Sequence, residues 1–260
     1  MKKHKDFLVQ NHSESRNLVQ WLSLDLMKIL KDFLIQNNKP EYYKFCKNKL
    51  EGVDKKTNIK IIHAISKSLT EISNTDQGFE FLLKKCQLSK YDSIRSVAAL
   101  MIGYQNKYNI NSKFSKIKFF ANDPHFMVRE FAWLSLRNEV LKNIDKSIKI
   151  LTNFSKNKSP YLRRFSCEIT RPRGVWCKHI NFLKTNPQIA FTLLNNLKND
   201  DSLYVQNSIA NWLNDLSKDN KVAFISFCKM LVNENCKNSY KILKKAMRNN
   251  VDSYILLEKL

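Results

Sequence analysis

Apolar residues in this chain recur three or four apart and almost never alternate, which is the pattern of amphipathic helices rather than strands. Residues 18–35 read as one helix, with Leu18, Trp21, Leu22, Ile29 and Leu30 among its apolar positions. Pro40 marks the next boundary, and 41–51 make a short helix. A longer helix is predicted over 55–73, with Ile59, Ile62, Ile65 and Leu69 on one stripe. A turn at 74–78 and a helix at 79–88 follow.

From residue 90 the pattern repeats. KYDSIRSVAALMI (90–102), DPHFMVREFAWLSL (123–136), SPYLRRFSCEI (159–169), DSLYVQNSIANWLNDL (201–216) and, less clearly, NSYKILKKAM (238–247) each begin with a polar or proline turn and continue as a helix. The spacing is 34 residues from Ile94 to Val128 and 34 from Val128 to Leu162, then 43 from Leu162 to Val205 and 36 from Val205 to Lys241. Another amphipathic helix lies between consecutive segments, for example 144–153 and 189–198. Two helices per unit at this period predict an all-α, HEAT-like helical-repeat solenoid, curved, with a basic concave face. A single repeat domain over 1–260 is expected, with 1–88 as N-terminal helices and 89–260 as the clearer repeats. The one long interval is explained by an insertion of about nine residues, TRPRGVWCK, after the third segment.

Composition supports the helical reading: 4 glycines and 5 prolines in 260 residues leave little room for turn-rich sheets. Lys and Arg number 45 against 23 Asp and Glu, a net charge of +22 that points to a polyanionic partner. The many Asn, Ile and Lys residues also fit a lysine bias with no functional meaning. Six scattered cysteines form no CxxC and no Cys/His zinc spacing, as expected of thiols in a reducing cytosol. No apolar run approaches 18 residues, and the basic N-terminus is followed by no apolar core of a signal peptide. A cytoplasmic monomer with no membrane segment, no metal and no cofactor is expected. No Walker loop, GxGxxG, HExxH or nucleophile triad can be drawn from these residues.

At about 100° per residue from each helix's first apolar anchor, Glu130, Glu168 and Asp215 fall on one flank of three successive repeat helices. Each alone also reads as an ordinary surface charge; Glu168 has Arg164 one turn before it, worth a few tenths of a kcal/mol. Together, beside Arg171, Arg173 and Trp176, they read as a site. Arg95, Arg129 and Arg163 share one repeat position and read as ties between repeats. Arg164, Arg171 and Arg173 lie off that position and read as phosphate contacts. Trp21, Trp133 and Trp212 sit among periodic apolar residues and read as core, whereas Trp176 follows a Pro-Arg-Gly break and reads as a site residue.

The strings EITRPRGVW (168–176), YVQNSIANWLNDLSKDN (204–220) and WLSLD (21–25) resemble the DNA alkylation repair glycosylases of the AlkC type, in the HEAT-like-repeat superfamily that includes AlkD. The resemblance covers essentially the whole chain. The chain has Gln206-Asn207 where the family often carries basic residues, and Trp212 where a smaller polar residue is common. The resemblance implies excision of cationic alkylpurines such as 3-methyladenine from duplex DNA held distorted against the concave face. It implies Glu168, Asp215 and Glu130 as catalytic, with Trp176 at the substrate. Such chemistry suits these residues. A cationic base is already a good leaving group, and a carboxylate beside C1′ stabilises the positive charge that develops on the sugar. An indole face attracts the cation, and arginines hold the flanking phosphates. The alternative is a non-catalytic HEAT solenoid that binds nucleic acid or serves as a protein adaptor.

Overall fold

The computed structural model describes residues 14–248. The basic stretch at 1–13, with His4 and His12, lies outside the described residues. Among those described there are fifteen helices and no strands. None of these helices is long and apolar enough to cross a membrane. The chain divides into two compact units, Met1–Ser135 and Leu136–Leu260.

The first unit holds α1 (Leu18–Leu22), α2 (Leu26–Gln36), α3 (Pro40–Glu51), α4 (Asn58–Ile72), α5 (Asp76–Gln87), α6 (Asp92–Tyr104), α7 (Ile110–Ala121) and the first part of α8 (Phe126–Lys142). Its core gathers Trp21, Leu30, Leu34, Ile62, Leu69, Met101, Phe114 and Phe131, with the Trp21 and Phe131 rings 5.1 Å apart. Helix α4 packs on α3 and α6, and α6 on α5 and α7. The single helix predicted over 18–35 is instead two. Asp25 caps Lys28 N at 3.0 Å and starts a new helix. The carbonyls at this break, those of Trp21 and Leu24, accept from Asn58 Nδ2 at 3.2 and 3.0 Å. A partner 34 residues away in sequence is what makes the break stable.

Arg95 and Arg163 tie one repeat to the next, as their position predicts, whereas the carbonyls that Arg129 reaches lie in the turn of its own repeat. Arg95 Nε donates to Asp123 at the start of the next repeat, at 2.8 Å, and its guanidinium also pairs with Glu14. Arg129 donates to the carbonyls of Asp123 and Pro124. In the second unit Arg163 pairs with Asp200 and donates to the carbonyls of Asn157 and Lys158. Each arginine staples its own helix N-terminus to a turn.

The second unit continues from the end of α8 through α9 (Ile144–Phe154), α10 (Pro160–Glu168), α11 (Asn181–Thr185), α12 (Gln188–Leu197), α13 (Leu203–Ser217), α14 (Lys221–Asn233) and α15 (Ser239–Ala246). Two rows form. Helices α10, α13 and α15 stack side by side, and α9 stacks on α12 behind them. Phe165, Leu193, Leu194, Ile209, Trp212, Leu213 and Phe224 fill the space between rows. Residues 169–180, which contain the period-breaking insertion, leave α10 as irregular chain before the short α11.

Candidate active site

Glu168 is the last residue of α10, and α13 is the helix stacked against it. Ser208 and Asp215 are seven apart on α13, two turns along one face, so both look toward α10. The Ser208 hydroxyl donates to Glu168 Oε2 at 2.7 Å. Arg171, three residues past Glu168, turns back toward the helix end. Its Nη1 donates to Glu168 Oε1 at 2.6 Å and its Nε to Asp215 Oδ2 at 2.8 Å. Arg164, one turn earlier on α10, completes the set with Nη2 3.4 Å from Glu168 Oε2 and its guanidinium 4.9 Å above the Tyr204 ring. Two carboxylates and two guanidiniums thus share one cluster. Sequence geometry put the carboxylates on an open flank. That flank is covered by the neighbouring helix of the row, leaving Glu168 only 3% and Asp215 only 4% exposed.

The shared arginine leaves the two carboxyl groups unequal. Burial opposes ionisation of Glu168, but Arg164, Arg171 and the Ser208 hydroxyl overcome it and hold its pKa below the usual carboxylate range. Burial dominates at Asp215: Arg171 offsets only part of it and the charge of Glu168 adds to it, so its pKa is raised. Arg171, desolvated but gripped by both carboxylates, holds its proton more tightly than a free guanidinium. Two acids pushed in opposite directions by one environment is an arrangement common where acid–base or charge-stabilising chemistry is done.

The insertion is held from beneath by a residue that sequence reasoning missed. Arg137, in the last turns of α8, is 1% exposed, and among the described residues no carboxylate lies at hydrogen-bond distance from it. Its guanidinium donates to the carbonyls of Ile169 and Arg171, both at 2.6 Å, and of Lys178 at 3.2 Å. Burial pulls its pKa down to about 10. A sequence signal was there: Arg137 lies between Trp133 and Val140 at helical spacing, on a stripe whose other members are buried. A charge on such a stripe must find several acceptors. Ser208 carried no comparable signal.

Trp176 has a backbone φ of 60°, the left-handed region that a bulky side chain rarely enters. The residue is 45% exposed, whereas Trp21, Trp133 and Trp212 are at most 3% exposed, which agrees with their reading as core. The turn before it is tight: a Cβ on Gly174 would lie 2.2 Å from Cys177 Sγ and 3.3 Å from Arg137 Nη2. The Cys177 thiol is pushed up by burial while feeling the charges of Arg137, Arg171 and Glu168. Trp176 is therefore the chain neighbour of a residue within electrostatic reach of the cluster. Arg173 makes a two-pronged pair with Asp219, both contacts at 2.7 Å, near the surface. Of the arginines expected at phosphates, Arg171 and Arg164 are engaged with Glu168, and Arg173 with Asp219. Glu130 belongs to the first unit, where its carboxylate accepts from Trp133 Nε1 at 2.8 Å. Among the described residues no three His, Cys, Asp or Glu side chains gather as metal ligands would.

No family model matches this sequence. A stretch of 115 residues, 44% of the chain, is 36% identical to the uncharacterized protein YhaZ of Bacillus subtilis (strain 168), of whose length it spans 31%. Among solved structures, the chain is similar to the Pseudomonas fluorescens alkylpurine DNA glycosylase AlkC bound to DNA containing an abasic site analog. The TM-score is 0.70 at 20% identity, over 88% of this chain and 62% of that one. It is also similar to AlkD2 from Streptococcus mutans (TM-score 0.57, 21% identity, 81% of this chain and 98% of that one). A third likeness is to smu.31 of Streptococcus mutans UA159 (TM-score 0.52, 18% identity, 86% and 99%). The protein has the all-helical repeat fold of AlkC and AlkD2.

Proposed function

We propose that this protein is a DNA glycosylase that removes cationic N-alkylated bases of the 3-methyladenine type from duplex DNA. The observation that carries this reading is the joining of Glu168 and Asp215 through Arg171, on the fold that AlkC shares. A buried ion-pair network of this size seldom stabilises a core better than apolar packing would, which favours a use for its charges.

The reaction is a hydrolysis. The C1′–N bond breaks with its electron pair leaving on the alkylated ring, whose positive charge is thereby neutralised. Positive charge moves onto the sugar, and a water oxygen forms the new bond to C1′. An ionised carboxylate beside that carbon lowers the barrier by charge stabilisation and takes the proton that water gives up. Glu168, kept ionised by two arginines and Ser208, serves as the fixed negative charge. Asp215, whose proton affinity is raised, is the better acceptor for the water proton. A DNA phosphate offers Arg171 a competing anion, so bound DNA draws the guanidinium away from the carboxylates and uncovers their charge. Trp176 offers an exposed indole face to the cationic nucleotide, a contact worth about 1–2 kcal/mol once desolvated. Arg164 and Arg173 serve as phosphate contacts.

The test is base release from methylated duplex DNA by the purified chain, with the freed base identified by chromatography. The expected product is 3-methyladenine. A chain that binds duplex DNA and frees no base from it would overturn the enzymatic reading in favour of a DNA-binding solenoid.

A further inference from the structure

We propose that Arg137 is a positioning residue for the reaction, holding Trp176 and Arg171 in working geometry through the backbone of the insertion. This rests on the function proposed above. A guanidinium buried to this degree normally sits against a carboxylate. Arg137 is satisfied by backbone instead, and the three carbonyls it chooses bracket the site. Ile169 follows Glu168; Arg171 carries the guanidinium shared by both carboxylates; Lys178 lies two residues past Trp176. One planar fork therefore fixes both ends of the loop that deviates from the repeat.

Two further observations point the same way. The segment makes little regular structure of its own: Ile180 N to Pro172 O, at 3.0 Å, closes it, and Trp212 Nε1 donates to Thr170 O at 3.0 Å near its start. Within it Trp176 is held at positive φ, a conformation costing about 1–3 kcal/mol that persists only where its surroundings enforce it. The Gly174 turn just before it lies against the Arg137 guanidinium: a Cβ there would stand 3.3 Å from Arg137 Nη2 and 2.2 Å from Cys177 Sγ. A lysine has three donors on one point and cannot reach carbonyls spread along both arms of the loop.

Trp176 is the one exposed indole among the described residues, so acrylamide quenching of tryptophan fluorescence reads its surroundings with little interference. The full-length chain is compared with Arg137→Lys and Arg137→Ala, and the same Arg137 changes are repeated in a Trp176→Phe background. Quenching is expected to rise in both variants and to be indifferent to Arg137 once Trp176 is gone. In base release, kcat is expected to fall by about a hundredfold with KM little changed, the pattern of displaced reacting groups. Millimolar guanidinium is expected to restore Arg137→Ala toward wild type, with methylammonium ineffective. If Arg137→Ala fails to fold, Arg137→Lys with its circular dichroism intact carries the test. Wild-type quenching or wild-type kcat in a folded Arg137→Lys variant would overturn the proposal. If the wild type frees no base, the function falls on its own, and the quenching comparison still decides whether Arg137 holds the loop.

Discussion

At the scale of single residues, two acids share one arginine. The sign of the pH dependence follows from their opposite shifts. Glu168 has a lowered pKa in the folded chain, so its contribution to stability is present above the ordinary glutamate value of about 4.3 and is lost as pH falls through its folded pKa. Asp215 has a raised pKa, so its ionisation costs stability, and that cost sets in as pH rises from the ordinary aspartate value of about 3.9 through its folded pKa. Glu168→Gln removes a negative neighbour and leaves Arg171 to Asp215 alone. The Asp215 carboxyl, followed by carbon NMR through a pH titration, is expected to titrate at lower pH in that variant. A pKa that stays put or rises would mean the two acids are not coupled through Arg171. Ser208→Ala acts in the other direction on Glu168, raising its pKa by removing a donor to the charged form.

At the scale of elements, close approach between helices sets the tolerances. A Cβ on Gly103 in α6 would lie 2.2 Å from Ser135 O in α8, a contact no side chain survives. Gly103→Ala is expected to destabilise the first unit by about 1–3 kcal/mol, seen as a lower urea midpoint with helix content retained. An unchanged midpoint would show that α6 and α8 can part freely. Much of this level was legible beforehand. The repeat segments at 90, 123, 159 and 201 all became helices, because their apolar stripes and turn residues agree. The arginine ties were legible too, since one residue type recurred at one repeat position. The break after Leu22 was not, because Asn58, which satisfies its carbonyls, is distant in sequence. Glu168 and Asp215 could be singled out from helical angles, and Trp176 from the interrupted period. Their wiring through Arg171, Ser208 and Arg137 could not, because helical angles place a side chain on a face and say nothing of what covers that face.

At the scale of the whole molecule, the proposed function divides the work between a net charge of +22, for affinity, and the carboxylate cluster, for chemistry. Binding to undamaged duplex DNA is expected to weaken steeply with salt, log affinity falling in proportion to log salt with a slope of about −0.9 for each phosphate neutralised. A salt-independent affinity would contradict an electrostatic DNA surface. The central claim is that Glu168 and Asp215 act on the glycosidic bond rather than only on the fold. Single-turnover base release from methylated duplex DNA, with protein in excess, isolates the bond-breaking step from binding and product release. Glu168→Gln and Asp215→Asn, each shown by circular dichroism to be folded and by titration to bind the duplex as tightly as wild type, are expected to slow that step by about 10²-fold or more. Folded variants that bind DNA and release the base at the wild-type rate would contradict the account.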